Sequence, residues 1–266
     1  SRYWPLALLP SCVADRSRVR HIISKCARRL HGYTGYFQLY AVPFRHLRYF
    51  DYSEKRSLFQ PGGILGGCET VFDRLRTHNV EHIAALGDNV TEEQSVNIVC
   101  EGLREGAASF AYCYLPSLDA IMHSAGPDGP EVKAHLRWYE DQLARIAGEA
   151  RANYEDVRLF VFSDHGMTAI HDTCDVMAQV ESLDLEFGRD YVAMYDSTMA
   201  RFWFLEPNAR AQIEGALERI EKGRILTDEE LAALEVDFPD CKYGELFFLM
   251  HPGVLLCPSY MGRKPV

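Results

Sequence analysis

Aspartate and histidine side chains follow two apolar segments of this 266-residue chain, and these residue types bind metal ions in proteins. In the first segment, Y-L-P-S-L-D-A-I-M-H-S-A-G-P, Asp119 and His123 stand at positions i and i+4. In the second, L-F-V-F-S-D-H-G-M-T, Asp164 and His165 are adjacent. Residues i and i+4 lie on one side of a helical turn, so the first pair has a spacing that can share a cation. The two pairs are therefore candidate metal ligands.

Each pair also has a purely structural interpretation. An Asp after a strand often caps a helix or forms a turn, and a single His is more often a satisfied polar side chain than a ligand. Ligands collect at the carboxyl ends of strands in α/β sheets. Two Asp/His pairs at consecutive strand ends therefore favour the metal site over the structural alternative.

Helical and apolar strand-like segments alternate from Glu69 onwards, which predicts an α/β fold. The strand-like segments are apolar almost throughout, which indicates a mostly parallel sheet sandwiched by helices. The predicted helices span 69–78, 92–105, 130–150, 174–183, 207–221 and 227–235; the predicted strands span 80–86, 108–115, 157–163, 190–196, 200–206 and 244–257; and 116–129 is predicted to be a loop.

The first 68 residues differ in character from the rest. Residues 15–30 predict an amphipathic helix, with its arginines opposite an apolar face formed by Val19, Ile22, Ile23, Cys26 and Leu30. Residues 31–68 are rich in aromatic residues, Gly and Pro and lack periodicity, which predicts an insertion or cap whose aromatic side chains wall a substrate pocket or anchor the segment to the core. We expect the chain to divide into a basic helix with an aromatic-rich cap or insertion at 1–68 and an α/β metal-binding core at 69–266, or to form one continuous domain.

Charge and cysteine content exclude some classes of function. The net charge of −10 disfavours a nucleic-acid polymer as partner, although the first 50 residues hold nine basic side chains and one acidic one. That basic region is either a solvated helix face or a surface for an anionic ligand or membrane. No apolar run approaches the ~18 residues of a membrane span. The eight cysteines form no C-x-x-C pair, which favours free thiols and a cytoplasmic location.

The two motifs together resemble the alkaline phosphatase superfamily. D-x-x-x-H-x-x-G-P (Asp119, His123, Gly126 and Pro127), followed by F-S-D-H-G-M-T, is similar in order and spacing to the type I phosphodiesterase/nucleotide pyrophosphatase family, over roughly residues 69–170. The resemblance implies two divalent metal ions, usually zinc. Asp119 and His123 would bind one ion, and Asp164 and His165 the other.

Two further parts of the family pattern have no clear match. The family's first strand ends in a metal-binding Asp and precedes a Thr or Ser nucleophile, but Asp15 and Asp51, the only aspartates before Glu69, lack that context. A later G-x-H-G histidine is also missing, and His251, in M-H-P-G, is more typical of a turn. We therefore expect an internal portion of a longer enzyme, with the nucleophile outside this chain. His171 is a candidate for contact behind the metal ligands, or an exposed loop residue.

The expected function is a metal-dependent phosphoric ester hydrolase of the phosphodiesterase/nucleotide pyrophosphatase type that acts on a small phosphoester. Phosphoethanolamine transferases, sulfatases and phosphonate hydrolases use the same metal pair and remain alternatives. A binding module that kept the Asp/His pairs but lost catalysis is the alternative outside enzymes. The sequence does not indicate an oligomeric state.

Overall fold

The computed structural model describes residues 4–10, 14, 16–31, 40–49, 69–85, 90–106 and 108–261. Its α-helices, in chain order, are α1 (Ser17–His31), α2 (Val71–Thr77), α3 (Glu92–Arg104), α4 (Ser117–Ala125), α5 (Pro130–Asn153), α6 (Val176–Glu181), α7 (Pro207–Leu217) and α8 (Asp228–Ala233). Its strands are β1 (His82–Ala85), β2 (Phe110–Cys113), β3 (Asp172–Cys174), β4 (Tyr191–Tyr195), β5 (Met199–Phe204), β6 (Gly223–Ile225), β7 (Leu246–Met250) and β8 (Val254–Leu256). The predicted α/β fold is confirmed.

Three helices begin where a threonine closes a capping box. Thr70, Thr91 and Thr227 each accept a hydrogen bond from the backbone N–H three residues on, and the side chain at that position accepts one from the threonine N–H. Each box satisfies two backbone donors that a helix start leaves without partners. The starts of α2, α3 and α8 are therefore determined locally.

Contacts between residues divide the chain into two units. The flanking unit comprises residues 1–54 and 170–265, and the motif unit comprises residues 55–169. The first 54 residues thus share a unit with the carboxyl-terminal part of the chain. The proposed boundary between residues 68 and 69 stays a prediction, and residues 32–39 and 50–68 of the proposed cap lie outside the described residues.

The motif unit is built on a parallel pair of strands. β1 pairs with β2 from His82 opposite Phe110 to Ala85 opposite Cys113, and α3 connects them. Apolar side chains of α3 and α5 pack with those strands in a small core that includes Ala85, Val96, Val99, Cys100, Leu103, Ile146 and Ala150. A Cβ at Gly102 would lie 2.5 Å from Ile83 Cδ1, so this glycine permits the close approach of α3 to β1.

The flanking unit contains the larger sheet. Its four strands are antiparallel in the order β4-β5-β7-β6, and β3 and β8 form a separate parallel pair. Buried aromatic and aliphatic side chains, including Tyr195, Phe202, Leu217 and Phe248, fill its core. The antiparallel pairing was not among the sequence predictions, because apolar content identifies a buried strand but not its direction.

Helix α1 forms where the amphipathic pattern predicts it, but its buried face differs from the predicted one. Ile22 and Leu30 are exposed, whereas Arg20 and Ser24 are buried. The prediction that the apolar side chains are buried was wrong for Ile22 and Leu30, and the prediction that the arginines are exposed was wrong for Arg20. Arg20 carries a long aliphatic stem, which packs as apolar surface does.

The aromatic segment is described only at residues 40–49, where a 3-10 helix spans Phe44–Tyr49. Phe44 and Leu47 are buried in the core of the flanking unit, and the Tyr49 hydroxyl donates to the Gly188 carbonyl at 3.0 Å. These contacts match the anchoring interpretation for this part of the segment.

Two sequence predictions in the motif unit were wrong. The predicted loop at 116–129 contains the nine-residue helix α4. The predicted strand at 157–163 forms no ladder within the described residues, and Phe160 and Phe162 are 80% and 75% exposed. A strand exists only where a neighbouring strand accepts its hydrogen bonds, and the described part of the motif unit supplies none at this segment.

None of the described helices is long and apolar enough to cross a membrane. Six cysteines in the described ranges are free thiols, as expected from their irregular spacing: Cys26, Cys100, Cys113, Cys174, Cys241 and Cys257.

Exposure at Phe160 predicts an unequal effect of two phenylalanine substitutions. We expect Phe160→Lys to change the free energy of unfolding of the 266-residue chain by less than about 0.5 kcal/mol. Phe202→Ala, at a fully buried site, should cost about 3–5 kcal/mol. Urea denaturation followed by far-UV circular dichroism measures both. A cost above about 2 kcal/mol for Phe160→Lys would contradict the exposed placement.

Buried His46 predicts that the flanking unit loses stability in mild acid. Its ring stacks on Phe187 at 3.6 Å between ring centroids, and Nδ1 lies 3.2 Å from the Tyr260 hydroxyl. Burial, followed by the charges of Arg45 and Arg48, lowers the pKa of His46 from 6.5 to about 3. His46 is therefore protonated below pH 6.5 in the unfolded chain but only below about pH 3 in the folded chain. As the pH is lowered from 6.5 towards 3, the free energy of unfolding therefore decreases.

We expect this group to remove about 2 kcal/mol of unfolding free energy between pH 8 and pH 5. His46→Gln should abolish that contribution, whereas His251→Gln, at an exposed position, should retain it. Chemical denaturation at each pH measures the difference. Identical pH dependence in His46→Gln and the parent chain would show that His46 is not held neutral.

Candidate metal-binding site

The first Asp/His pair lies on α4. Asp119 is in the first turn and His123 in the last, and His123 Nε2 is 3.6 Å from Asp119 Oδ1. Both side chains are half exposed, so a ligand can reach them from solvent. The helix that the sequence analysis missed brings the i and i+4 side chains to one face. Its ends are marked by Pro116 and Gly126, which resemble loop residues in sequence.

The start of α4 is held by side chains from two other helices. Its N-cap residue is Pro116, which forms no side-chain cap. Instead, the Ser117 N–H donates to Glu92 Oε1 at 2.7 Å, and the Leu118 N–H donates to the Tyr139 hydroxyl at 3.3 Å. Glu92 lies on α3 and Tyr139 on α5, so the three helices meet at this point.

Glu92 also binds two side chains of α5. The Tyr139 hydroxyl lies 2.7 Å from Glu92 Oε1, and His135 Nε2 lies 3.1 Å from Glu92 Oε2. Burial, then the hydrogen bond and charge of Glu92, raises the pKa of Tyr139 well above its usual range. The sequence around His135 gives no sign of this contact with Glu92. The acid is 43 positions away, and no local pattern signals such a contact.

The second Asp/His pair follows the exposed apolar segment. His165 Nε2 is 3.6 Å from Asp164 Oδ2, and both side chains are more than half exposed. The His165 N–H donates to Asp164 Oδ1 at 3.0 Å, and Nδ1 lies 3.1 Å from the Gly166 carbonyl. A carbonyl only accepts, so Nδ1 carries the proton and Nε2 of the neutral ring has a free lone pair. This is the arrangement of a histidine that binds a metal through Nε2.

Electrostatic effects extend from one pair to the other. The hydrogen bond to Gly166 O, then the charge of Asp164, raises the pKa of His165, and the charge of Asp119 adds to this shift. The pKa of Tyr112 on β2 is also raised, first by burial, then by Tyr114 and then by the charge of Asp164. Both aspartates thus act on groups in the same part of the motif unit.

The donor types suit a divalent cation, since each pair offers a carboxylate oxygen and an imidazole nitrogen. A structural zinc site has four protein ligands, and a catalytic one has three with a fourth position left open. Among the described residues, no group of three or more His, Cys, Asp or Glu side chains is arranged to hold a metal. The structure therefore contains two separate two-ligand pairs, and the convergence of all four side chains on adjacent ions stays a prediction.

The remaining candidates lie outside the motif unit or outside the described residues. The exposed His171 belongs to the flanking unit, where its backbone N–H donates to the Gly253 carbonyl at 2.9 Å. Its proposed role behind the metal ligands stays a prediction. His251 precedes the turn between β7 and β8, as its sequence setting suggested. Asp15 and Asp51 lie outside the described residues.

The electrostatic link between the pairs predicts a measurable titration effect. In metal-free protein, we expect Asp164→Asn to lower the pKa of His165, and Asp119→Asn to lower it by a smaller amount, because each removes a negative charge that favours the protonated ring. NMR titration of the His165 ring protons measures both shifts. Asp141→Asn, an exposed change on α5, is the control. No response to Asp119→Asn would contradict the proximity of the two pairs.

Comparison with solved structures identifies similar folds. Human ectonucleotide pyrophosphatase/phosphodiesterase 5 aligns with a TM-score of 0.55 and 14% identity over 70% of this chain and 55% of its own. The murine protein, in an inactive form in complex with AMP, aligns with a TM-score of 0.55 and 15% identity over 72% of this chain and 55% of its own. The chain thus spans little more than half the length of these two structures.

A bacterial structure shares the same fold. Phosphonoacetate hydrolase from Sinorhizobium meliloti 1021, in complex with phosphonoacetate, aligns with a TM-score of 0.54 and 14% identity over 86% of this chain and 67% of its own. At the level of sequence, the family model for type I phosphodiesterase / nucleotide pyrophosphatase matches residues 39–234, well over half of the chain. This match includes both Asp/His motifs, and the chain belongs to the type I phosphodiesterase / nucleotide pyrophosphatase family.

Proposed function

We propose that this chain is the metal-binding part of a phosphoric ester hydrolase that acts on small phosphodiesters or nucleotide pyrophosphates. The observation that carries the proposal is the family match across both Asp/His motifs. Two side-chain pairs with oxygen and nitrogen donors, both open to solvent, support it. The AMP complex of the murine structure supports a nucleotide as the substrate class.

In this proposal, Asp119 and His123 bind one divalent cation, and Asp164 and His165 bind the other. We expect zinc, because mixed carboxylate and imidazole ligands suit it. When bound, such a pair of cations stabilises negative charge on the phosphoryl oxygens and lowers the pKa of an attacking hydroxyl.

The protein's own groups orient the ligands. Gly166 O keeps the His165 proton on Nδ1, so that Nε2 remains as the ligand atom. The Asp164 carboxylate accepts from the His165 N–H through Oδ1, which leaves Oδ2 for a cation. The attacking group is proposed to be a Thr or Ser hydroxyl outside this sequence, since neither Asp15 nor Asp51 has the sequence context of the aspartate that precedes such a residue in the family.

Phosphonate hydrolysis is the second candidate. The Sinorhizobium meliloti phosphonoacetate hydrolase aligns with 86% of this chain, a larger share than the mammalian structures do. Both reactions place a tetrahedral phosphorus group against the same kind of metal pair. Competition between phosphonoacetate and a nucleotide for the metal-loaded protein separates the two candidates.

Metal binding is the first test of the proposal. We expect the EDTA-treated chain to bind Zn²⁺, and Asp119→Asn or Asp164→Asn to weaken binding at its own pair more than about 100-fold, since even residues behind the ligands contribute 10–100-fold. Isothermal titration calorimetry measures the affinities, with Asp141→Asn as the matched surface control. Zinc affinity that is unaffected by both ligand substitutions would refute the assignment.

Catalysis by the isolated chain is the second test. We expect little turnover of bis(4-nitrophenyl) phosphate even with Zn²⁺ present, because the proposed nucleophile is not in the sequence. Absorbance of released nitrophenolate measures the rate, and Asp164→Ala provides the background. Substantial turnover that is lost in Asp164→Ala would place the nucleophile within these 266 residues. Zinc binding without turnover, even when the chain is extended to include the nucleophile, would favour the non-catalytic binding module.

A further inference from the structure

Helix α4 carries the Asp119/His123 pair but lacks a cap of its own. The first N–H groups of any helix have no partner within it and are usually satisfied by a side chain at the N-cap. Pro116 occupies that position and has no side-chain acceptor. The partners must therefore come from elsewhere in the fold.

Glu92 and Tyr139 supply those partners. Glu92 Oε1 accepts from the Ser117 N–H at 2.7 Å, and the Tyr139 hydroxyl oxygen accepts from the Leu118 N–H at 3.3 Å. The Tyr139 proton is directed at Glu92 Oε1 and at Leu115 O, which are 2.7 Å and 2.9 Å away. These bonds attach both the end of β2 and the start of α4 to α3 and α5.

The position of Glu92 makes this attachment strong. Its side chain is only 8% exposed, and a carboxylate removed from water is costly unless donors surround it. Ser117 N–H, Tyr139 O–H and His135 Nε2 provide those donors, and the indole of Trp138 stacks on the His135 ring at 5.4 Å between centroids. The negative charge also lies at the positive end of the α4 dipole.

We infer that Glu92 and Tyr139 are positioning residues: together they act as an external cap that sets where α4 begins, and thereby where Asp119 and His123 stand. Asp119 is two residues beyond Ser117, so a shift of the first turn moves its carboxylate directly. Neither Glu92 nor Tyr139 is a ligand in this inference, because their polar atoms are used within the cap. The inference rests on the proposed function only in treating the Asp119/His123 pair as metal ligands.

The cap is tested without metal by hydrogen exchange. In the 266-residue chain, we expect Glu92→Ala to accelerate exchange of the Ser117 N–H at least about tenfold, since a hydrogen bond to a charged group is lost. Tyr139→Phe keeps the ring and should accelerate exchange at Leu118. Asn97→Ala is the matched control, because it removes a different link between α3 and α5, the Arg145 to Asn97 hydrogen bond, without touching α4.

The positioning role is tested with Co²⁺, whose absorption spectrum reports ligand geometry. An Asp164→Asn background restricts the signal to the Asp119/His123 pair. We expect Tyr139→Phe and Glu92→Ala to weaken Co²⁺ binding about 10- to 100-fold and to alter the spectrum. Glu92→Gln, whose amide oxygen still accepts from the Ser117 N–H, should restore much of the loss. Asn97→Ala should change thermal stability without changing Co²⁺ affinity or spectrum.

The possible outcomes separate this inference from the proposed function. Unchanged exchange at Ser117 in Glu92→Ala overturns the external cap, whatever the metal data show. Faster exchange with unchanged Co²⁺ affinity and spectrum overturns the positioning role. If the variants show the expected faster exchange but the parent chain binds no Co²⁺, the proposed function and the positioning role are both refuted. The external cap would then remain as a structural feature only.

Discussion

A single desolvated carboxylate organises the motif unit. Glu92 begins α3 and is almost fully removed from water, so the fold must bring donors to it. Those donors come from the start of α4 and from α5, which lie 25 to 47 positions further along the chain. Meeting this one requirement connects the three helices around the carboxyl end of β2, and the Asp119/His123 pair lies on one of them.

The two Asp/His pairs differ in how they are supported. Asp119 and His123 lie on a helix whose first turn is bonded to two neighbouring helices, so their relative position depends on the tertiary structure. Asp164 and His165 are fixed mainly by local bonds, to the Gly166 carbonyl and between the residues themselves. We therefore expect the first pair to be the more rigid, because more buried contacts must break before it moves.

The flanking unit is stabilised differently. It depends on a four-stranded antiparallel sheet with large buried aromatics, and residues 40–49 pack into the same core. The buried, neutral His46 belongs to this packing: Arg45 donates to its Nε2 at 3.1 Å, so its remaining proton is directed from Nδ1 towards Tyr260. The apolar segment 157–163 of the motif unit forms no such ladder with the residues that the structure describes, although its residue types resemble those of the buried strands.

Local patterns in the sequence were sufficient to predict most elements and to single out four candidate ligands, whose role stays a prediction. The threonine capping boxes lie within four adjacent residues and are therefore local features of the sequence, and the order and spacing of the Asp/His motifs indicate the family. Pairing direction, the helix at Ser117–Ala125, the exposure of Phe160 and the partner of His135 were decided only in the tertiary structure. Each of these depends on what the folded chain places beside a segment. A strand needs a neighbour for its hydrogen bonds, and α4 needs acceptors from Glu92 and Tyr139, which no window of adjacent residues contains.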